Sequence, residues 1–263
     1  MSNDLHISHL SAGYGHRTII SDASLTAFGG QLTAIIGRNG SGKSTLLRTL
    51  AGDIRATAGS AVANDCDILT LPPRERSKLI GIVDQQTEAL PIRVIDYIML
   101  GRTPHRSLLS LNDSQKDTEI CNRIIKQLNI SHLSASRMDQ ISGGERQMAS
   151  IAKALAQEPR ILLLDEPTSN LDLKNQKDIL DAISETTHTE QLITIMVMHD
   201  VNLALTYADS ICIMTDGRIT QHANTDGAVT QEMLEKTYNT SVKIITDSEN
   251  GRKAVVVEKD FKK

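Results

Sequence analysis

The chain has 263 residues, a formal charge of −4, 40% apolar and 23% charged residues, with two Phe, four Tyr and no Trp. That length allows one large domain or two small ones around a core of Leu, Ile, Val, Met and Ala, and the mild acidity excludes a global electrostatic pull toward nucleic acid or anionic lipid. No run approaches the roughly 18 to 20 apolar residues of a membrane span, three scattered cysteines (66, 121 and 212) argue for reduced thiols rather than a disulfide framework or zinc site, and "MSNDLHISHL" lacks the basic-then-apolar pattern of a secretory signal.

Residues 5 to 36 read as strands and turns: "LHISHLSAGYG", "TIISDASLTAF" and "QLTAIIG". His6 and His9, three apart on a strand, are expected on opposite sides, with no ligand spacing. The third apolar run ends in "GRNGSGKST", after which "KSTLLRTLAG" predicts a helix closing at Gly52. Glycine at 37, 40 and 42 followed by Lys-Ser-Thr, between a strand and a helix, is a phosphate-holding loop. Its cradle comprises Gly37, Asn39, Gly40, Ser41, Gly42, Lys43, Ser44 and Thr45. Lys43 would reach the β- and γ-phosphates and Ser44 would ligate magnesium.

A short strand region, "GSAVANDCDI", follows, and from about 88 to 155 the pattern turns helical, with "RVIDYIMLGR" and "SQKDTEICNRIIKQLNI" carrying apolar residues at helical spacing. Then strand and helix alternate: "RILLLDEP", "NQKDILDAISETT", "LITIMVMHD", "NLALTYA" and "SICIMTDGRIT". Short apolar runs separated by helices imply a parallel sheet covered on both faces. At the end of "ILLLDEP", Asp165 would hold magnesium through water and Glu166 would orient or deprotonate the attacking water. The tail from about 224 to 263 is less regular, with a helix expected in "TQEMLEKTY" and a strand in "KAVVVEK"; it is a regulatory cap or simply an edge strand and solvated end.

Kinases and small GTPases also own a phosphate loop and an acidic strand end. They do not own "ISGGERQ" at 141 to 147, a Ser-Gly-Gly turn that opens a helix and makes a second anion site. Two such loops suit a head-to-tail pair of chains with one nucleotide between the loop of one copy and Ser142, Gly143 and Gly144 of the other. On these motifs the chain resembles, over nearly its whole length, the ATP-binding cassette of an ABC transporter. The resemblance implies an α/β P-loop NTPase of ABC type: a mostly parallel sheet flanked by helices, an N-terminal antiparallel β subdomain and an inserted helical subdomain. The implied layout is a single ABC ATPase domain over 1–263. Its core covers about 1–85 and 156–263, the helical subdomain about 86–155 and a C-terminal extension about 224–263.

The resemblance also implies roles for residues whose type alone says little. Tyr14 in "GYG" would stack on adenine. Gln85 in "IVDQQ" matches a glutamine that contacts magnesium and senses the membrane partner, with Gln86 as its rival. Asp172 in "SNLD" belongs to a segment crossing the dimer interface, and His199 in "MVMHD" matches the γ-phosphate histidine. Departures are mild: Ile141 for Leu, Glu145 where Gln is frequent, and Asp84 where Pro or Ser is usual. The implied cofactors are ATP and Mg2+.

"VIDYIMLGRTPHRS", "HDVNLALTYAD" and "TQEMLEKTYNTSV" are similar to segments of the importers of iron-siderophore, haem and vitamin B12 chelates. That likeness implies a peripheral subunit on the cytoplasmic face of the membrane. Two copies would dock on a permease dimer fed by an extracytoplasmic binding protein, with residues near 86 to 110 receiving the permease and no nucleic-acid partner. The alternatives are an ABC ATPase of another importer class and a soluble, non-transport ABC ATPase. The latter's long insertions or doubled cassettes are missing here, since Lys43 and Asp165 are only 122 positions apart (165 − 43) and the cassette is single.

Overall fold

The computed structural model describes residues 3–106, 114–224, 229–248 and 251–258. By internal contacts the chain divides into two units, Met1–Thr70 with Ile193–Lys263, and Leu71–Leu192.

The first unit opens with β1 (Asp4–Tyr14), β2 (Arg17–Phe28) and β3 (Gln31–Ile36), followed by α1 (Lys43–Ala51), β4 (Ala56–Ala63) and the short β5 (Cys66–Asp67). Strands β2, β1, β4 and β5 lie in that order as an antiparallel sheet. In β1 Leu5, Ile7, Leu10 and Ala12 are buried, so the alternation skips a residue between Ile7 and Leu10. The cause is a bulge, where the register to β2 shifts and His9 adopts φ 51°. The expectation that His6 and His9 face opposite sides therefore fails: both are exposed, His6 against Thr26 and His9 against Asp22.

The second unit carries α2 (Pro73–Leu79), β6 (Ile80–Val83), α3 (Val94–Met99), α4 (Gln115–Gln127), α5 (Gly143–Ala156), β7 (Ile161–Asp165) and α6 (Leu173–Thr189). The helix expected through "RVIDYIMLGR" is regular only to Met99 and continues as a 3-10 turn over Leu100–His105 that contains Pro104. β6 and β7 pair in parallel, Val83 opposite Leu164. All five residues of β7 are buried, as a run of apolar residues in a covered parallel sheet requires. A buried ion pair fastens the helices: Arg102 Nε donates to Asp117 Oδ1 at 2.7 Å, and its Nη1 donates to the Ala156 carbonyl at 2.6 Å and to Glu158 Oε2 at 3.0 Å.

Returning to the first unit, the chain forms β8 (Ile193–Val197), α7 (Val201–Tyr207), β9 (Ser210–Thr215), β10 (Arg218–Asn224), α8 (Gln231–Tyr238), β11 (Val242–Thr246) and β12 (Lys253–Val257). Strand β3 lies between β8 and β9 and is parallel to both, with Ile35 opposite Val197 and Ile36 opposite Ile213. β10 extends this set antiparallel. The expected helix and strand of the tail are α8 and β12, and β11–β12 is a hairpin. The Asn202 side chain of α7 fastens it, donating to the Val255 carbonyl and accepting from the Val255 amide. Positions 225–228, 249–250 and 259–263 of the tail expectation lie outside the described residues, as do 107–110 of the stretch expected to receive a permease.

Candidate functional site

In the first unit the loop after β3 is shaped by its main chain. Gly37 sits at φ 151°, and a Cβ there would lie 2.2 Å from the Met214 carbonyl oxygen, so no side chain fits. Gly42, at φ 106°, is the N-cap of α1 and points the helix start into the loop. Lys43 is 4% exposed. Its ammonium donates to the carbonyls of Gly37 at 2.8 Å and Arg38 at 3.0 Å, which curls the loop around the cation. Arg38, Asn39 and Gly40 form its exposed tip, while Ser41 and Thr45 are buried and Ser44 is half-buried.

His199 follows β8. Because β3 and β8 run in parallel with matched ends, and the Met198 amide donates to the Ile35 carbonyl at 3.1 Å, His199 and the phosphate loop leave the sheet at the same edge. Its exposed side chain is followed by Asp200, whose carboxylate caps α7. Tyr14 ends β1 in a tight hairpin and is 50% exposed, a free aromatic face for stacking.

The second unit repeats this strand-end logic with carboxylates. Asp165 closes β7 at 8% exposure, and Glu166 turns out at φ 49°, a left-handed conformation that costs a non-glycine residue energy. Because β6 pairs with β7 in register, the residues after Val83 emerge beside this acid pair. Gln85 Nε2 donates to Glu166 Oε2 at 2.9 Å. Of the two adjacent glutamines, Gln85 is the one that makes this bond.

Ser142 is the N-cap of α5. Its hydroxyl accepts from the Glu145 amide at 3.3 Å, and Glu145 Oε2 accepts from the Ser142 amide at 2.7 Å, a reciprocal capping box. The bonds from Ser142 hold the Glu145 carboxyl below its ordinary range. Glu145 is thus the N3 acid of a cap, a role that the spacing Ser-x-x-Glu at 142–145 signals and that sequence comparison with the family had left as a departure. Gly143 is exposed, whereas a Cβ on Gly144 would meet the Asn175 side chain at 2.7 Å. Asp172 caps α6, accepting from the Asn175 amide at 2.8 Å. Two residues to which the sequence assigned no role also belong here: Gln147, the last residue of "ISGGERQ", on α5, and Thr87, whose Oγ1 donates to Gln147 Oε1 at 3.0 Å.

These donors fit a nucleotide. The Ser41 hydroxyl is buried in the phosphate loop with no protein partner among the described residues, and Gly37, Gly40 and Gly42 all adopt the positive φ that lets the main chain curl there. Hydroxyl and carboxylate oxygens at Ser44 and Asp165 are hard ligands of the type magnesium takes. Among the described residues there is no cluster of three or more His, Cys, Asp or Glu to hold a metal on protein ligands alone, and no helix is long and apolar enough to cross a membrane.

Comparison with known proteins agrees with this chemistry. Residues 20–169 match the family model described as ABC transporter. The ferric enterobactin transport ATP-binding protein of Escherichia coli is 36% identical over 248 residues, 94% of this chain and 91% of that protein. The hemin import ATP-binding protein of Gloeobacter violaceus is 36% identical over 227 residues, covering 83% and 81%. Among solved structures, an inward-facing ABC transporter of proposed metal-chelate type superposes with a TM-score of 0.85 at 24% identity, over 98% of both chains.

Proposed function

This chain belongs to the ABC transporter family, and we propose that it is the subunit that binds and hydrolyses ATP to power a membrane importer of iron-siderophore, haem or vitamin B12-type chelates. The observation that carries the cargo class is the extent of the likeness to the enterobactin subunit. An alignment of 248 residues necessarily runs past residue 169, where the family match ends, into the C-terminal helix and hairpin.

Each residue's proposed role is the one that the family resemblance implies, and its chemistry suits it. Tyr14 stacks on adenine, and the amides of 37–45 with Lys43 take the phosphates. Ser44, Gln85 and Asp165 would hold Mg2+, which neutralises charge on the phosphate oxygens when bound. Glu166 accepts the proton of the attacking water or orients it, and His199 donates to the γ-phosphate. A second copy supplies Ser142, Gly143 and Gly144 to complete the site. Leu173, 84% exposed at the start of α6 beside Asp172, is an apolar side chain suited to burial in such a pair. Residues near 86 to 110 then meet the permease at the cytoplasmic face, with an extracytoplasmic binding protein delivering cargo.

The test is gentle solubilisation of membranes carrying the tagged chain, with identification of what co-purifies and assay of its ATPase. A polytopic permease and turnover lost in Glu166→Gln are expected. Recovery with ribosomes or DNA and no membrane partner would overturn the transport role; turnover retained in Glu166→Gln would overturn the role of Glu166.

A further inference from the structure

Gln147 is a charge-neutral polar side chain only 5% exposed, on the second turn of α5, and the hydrolysis chemistry above makes no use of it. Both ends of its amide are engaged. Nε2 donates to the Asp84 carbonyl at 3.2 Å, and Oε1 accepts from Thr87 Oγ1 at 3.0 Å. A main-chain carbonyl can only accept, so the NH2 end faces Asp84 and the oxygen faces Thr87, whose hydroxyl must donate. The two anchor points lie one residue before and two residues after Gln85, the residue bonded to Glu166. Asp84, Gln85 and Gln86 are otherwise exposed, and Gln85 and Thr87 line a cavity of about 320 Å³ with Gly143, Ser169 and Leu171.

We infer that Gln147 and Thr87 are positioning residues for hydrolysis. They clamp the 84–87 loop to the signature helix, so that the Gln85 amide is presented to the Glu166 carboxylate. The inference rests on the ATPase role proposed for Glu166. An exposed loop of four residues has many conformers of similar energy, and a glutamine side chain at its centre adds more. Two bonds from one buried amide remove that freedom at both flanks, where a deletion leaves a buried polar group unpaired. Any displacement of the first turns of α5 is passed to Gln85 through the same two bonds.

The experiment measures steady-state MgATP hydrolysis by the full-length chain for wild type, Thr87→Val, Thr87→Ser, Gln147→Met and Glu166→Gln, with thermal melts of each. Thr87→Val keeps the shape and removes one donor. It should lower kcat about 10-fold, the size of one lost hydrogen bond, with KM for ATP and the melting temperature nearly unchanged. Thr87→Ser should restore kcat, and Gln147→Met should lower it at least as far as Thr87→Val. Wild-type kcat in Thr87→Val, or a raised KM at constant kcat, overturns the inference while leaving the ATPase role standing. A wild-type chain without turnover, or an active Glu166→Gln, overturns the ATPase role and the inference with it.

Discussion

Two loops, one in each unit, carry the proposed chemistry, and they keep their shapes by different means. The phosphate loop of 37–42 is held by main chain: Gly37 where a Cβ does not fit, Gly40 and Gly42 at positive φ, and a lysine that bonds its own loop's carbonyls five and six residues back. The 84–87 loop is held by side chains from elsewhere in the sequence, Gln147 at 60 or more positions away and Glu166 at 81. The first is closed mainly by bonds within its own sequence, although Gly37 must also pass the Met214 carbonyl of β9. The second exists only when β6, β7 and α5 are already packed. A change to backbone geometry should therefore damage the first region most, and a change to a distant side chain should damage the second.

The largest effect is expected from Gly37→Ala. It places a methyl where the Met214 carbonyl oxygen is 2.2 Å away, at a backbone angle that L residues avoid, so β9 must move or the loop must refold. Strain and overpacking each cost about 1–3 kcal/mol. The variant should unfold at markedly lower denaturant and bind no ATP, measured by chemical denaturation and nucleotide titration. Wild-type stability in this variant would remove the claim that backbone fit shapes the loop.

Next is Asp117→Ala in the second unit. Burial on its own would raise this carboxyl, but bonds from Arg102 and Ser114 outweigh it and leave it below the ordinary carboxylate range. Removing it takes the buried anion from a guanidinium that is 3% exposed and leaves it only the exposed carboxylate of Glu158, at a cost of about 3 kcal/mol. The double variant Arg102→Met/Asp117→Leu should cost less than the single one, because no charge is left buried. A double variant worse than the single would mean that the pair stabilises the helices by attraction rather than merely tolerating burial.

The same contrast explains what the sequence revealed. Local requirements were legible: "GRNGSGKST" between strand and helix, the apolar run of β7 ending in Asp165, Gly52 closing α1, α8 and β12 in the tail. The bulge that turns His9 to the same exposed side as His6 was not, because β1 carries no glycine or proline at that point to announce it. The Gln147 clamp and the Arg102–Asp117 pair were not legible either, since each joins residues whose proximity is set by packing. Asp84 looked like a departure from the family pattern, yet its contribution is its main-chain carbonyl, which any residue supplies. The capping box is legible as Ser-x-x-Glu, because one glycine-rich turn serves both as an anion site and as an ordinary helix start.

That cap gives the smallest predicted effect and the finest test of the contrast, because the Ser142–Glu145 pair is local like the first loop but made by side chains like the second. Glu145→Ala removes the bond to the Ser142 amide and should cost about 1 kcal/mol at neutral pH. Glu145→Gln, which keeps an acceptor, should cost less. The carboxyl is held below its unfolded value, so its contribution is complete above the unfolded pKa and is lost as pH falls through the folded one. The stability gap between wild type and Glu145→Ala should therefore shrink as the pH is lowered from about 5 toward about 3, while the smaller gap to Glu145→Gln narrows with it. A gap that stays constant over that range would show that the ionised carboxylate is not what caps the helix. The stabilisation would then come from α5 packing alone, which would place the signature turn with the distant-contact loop rather than with the locally closed one.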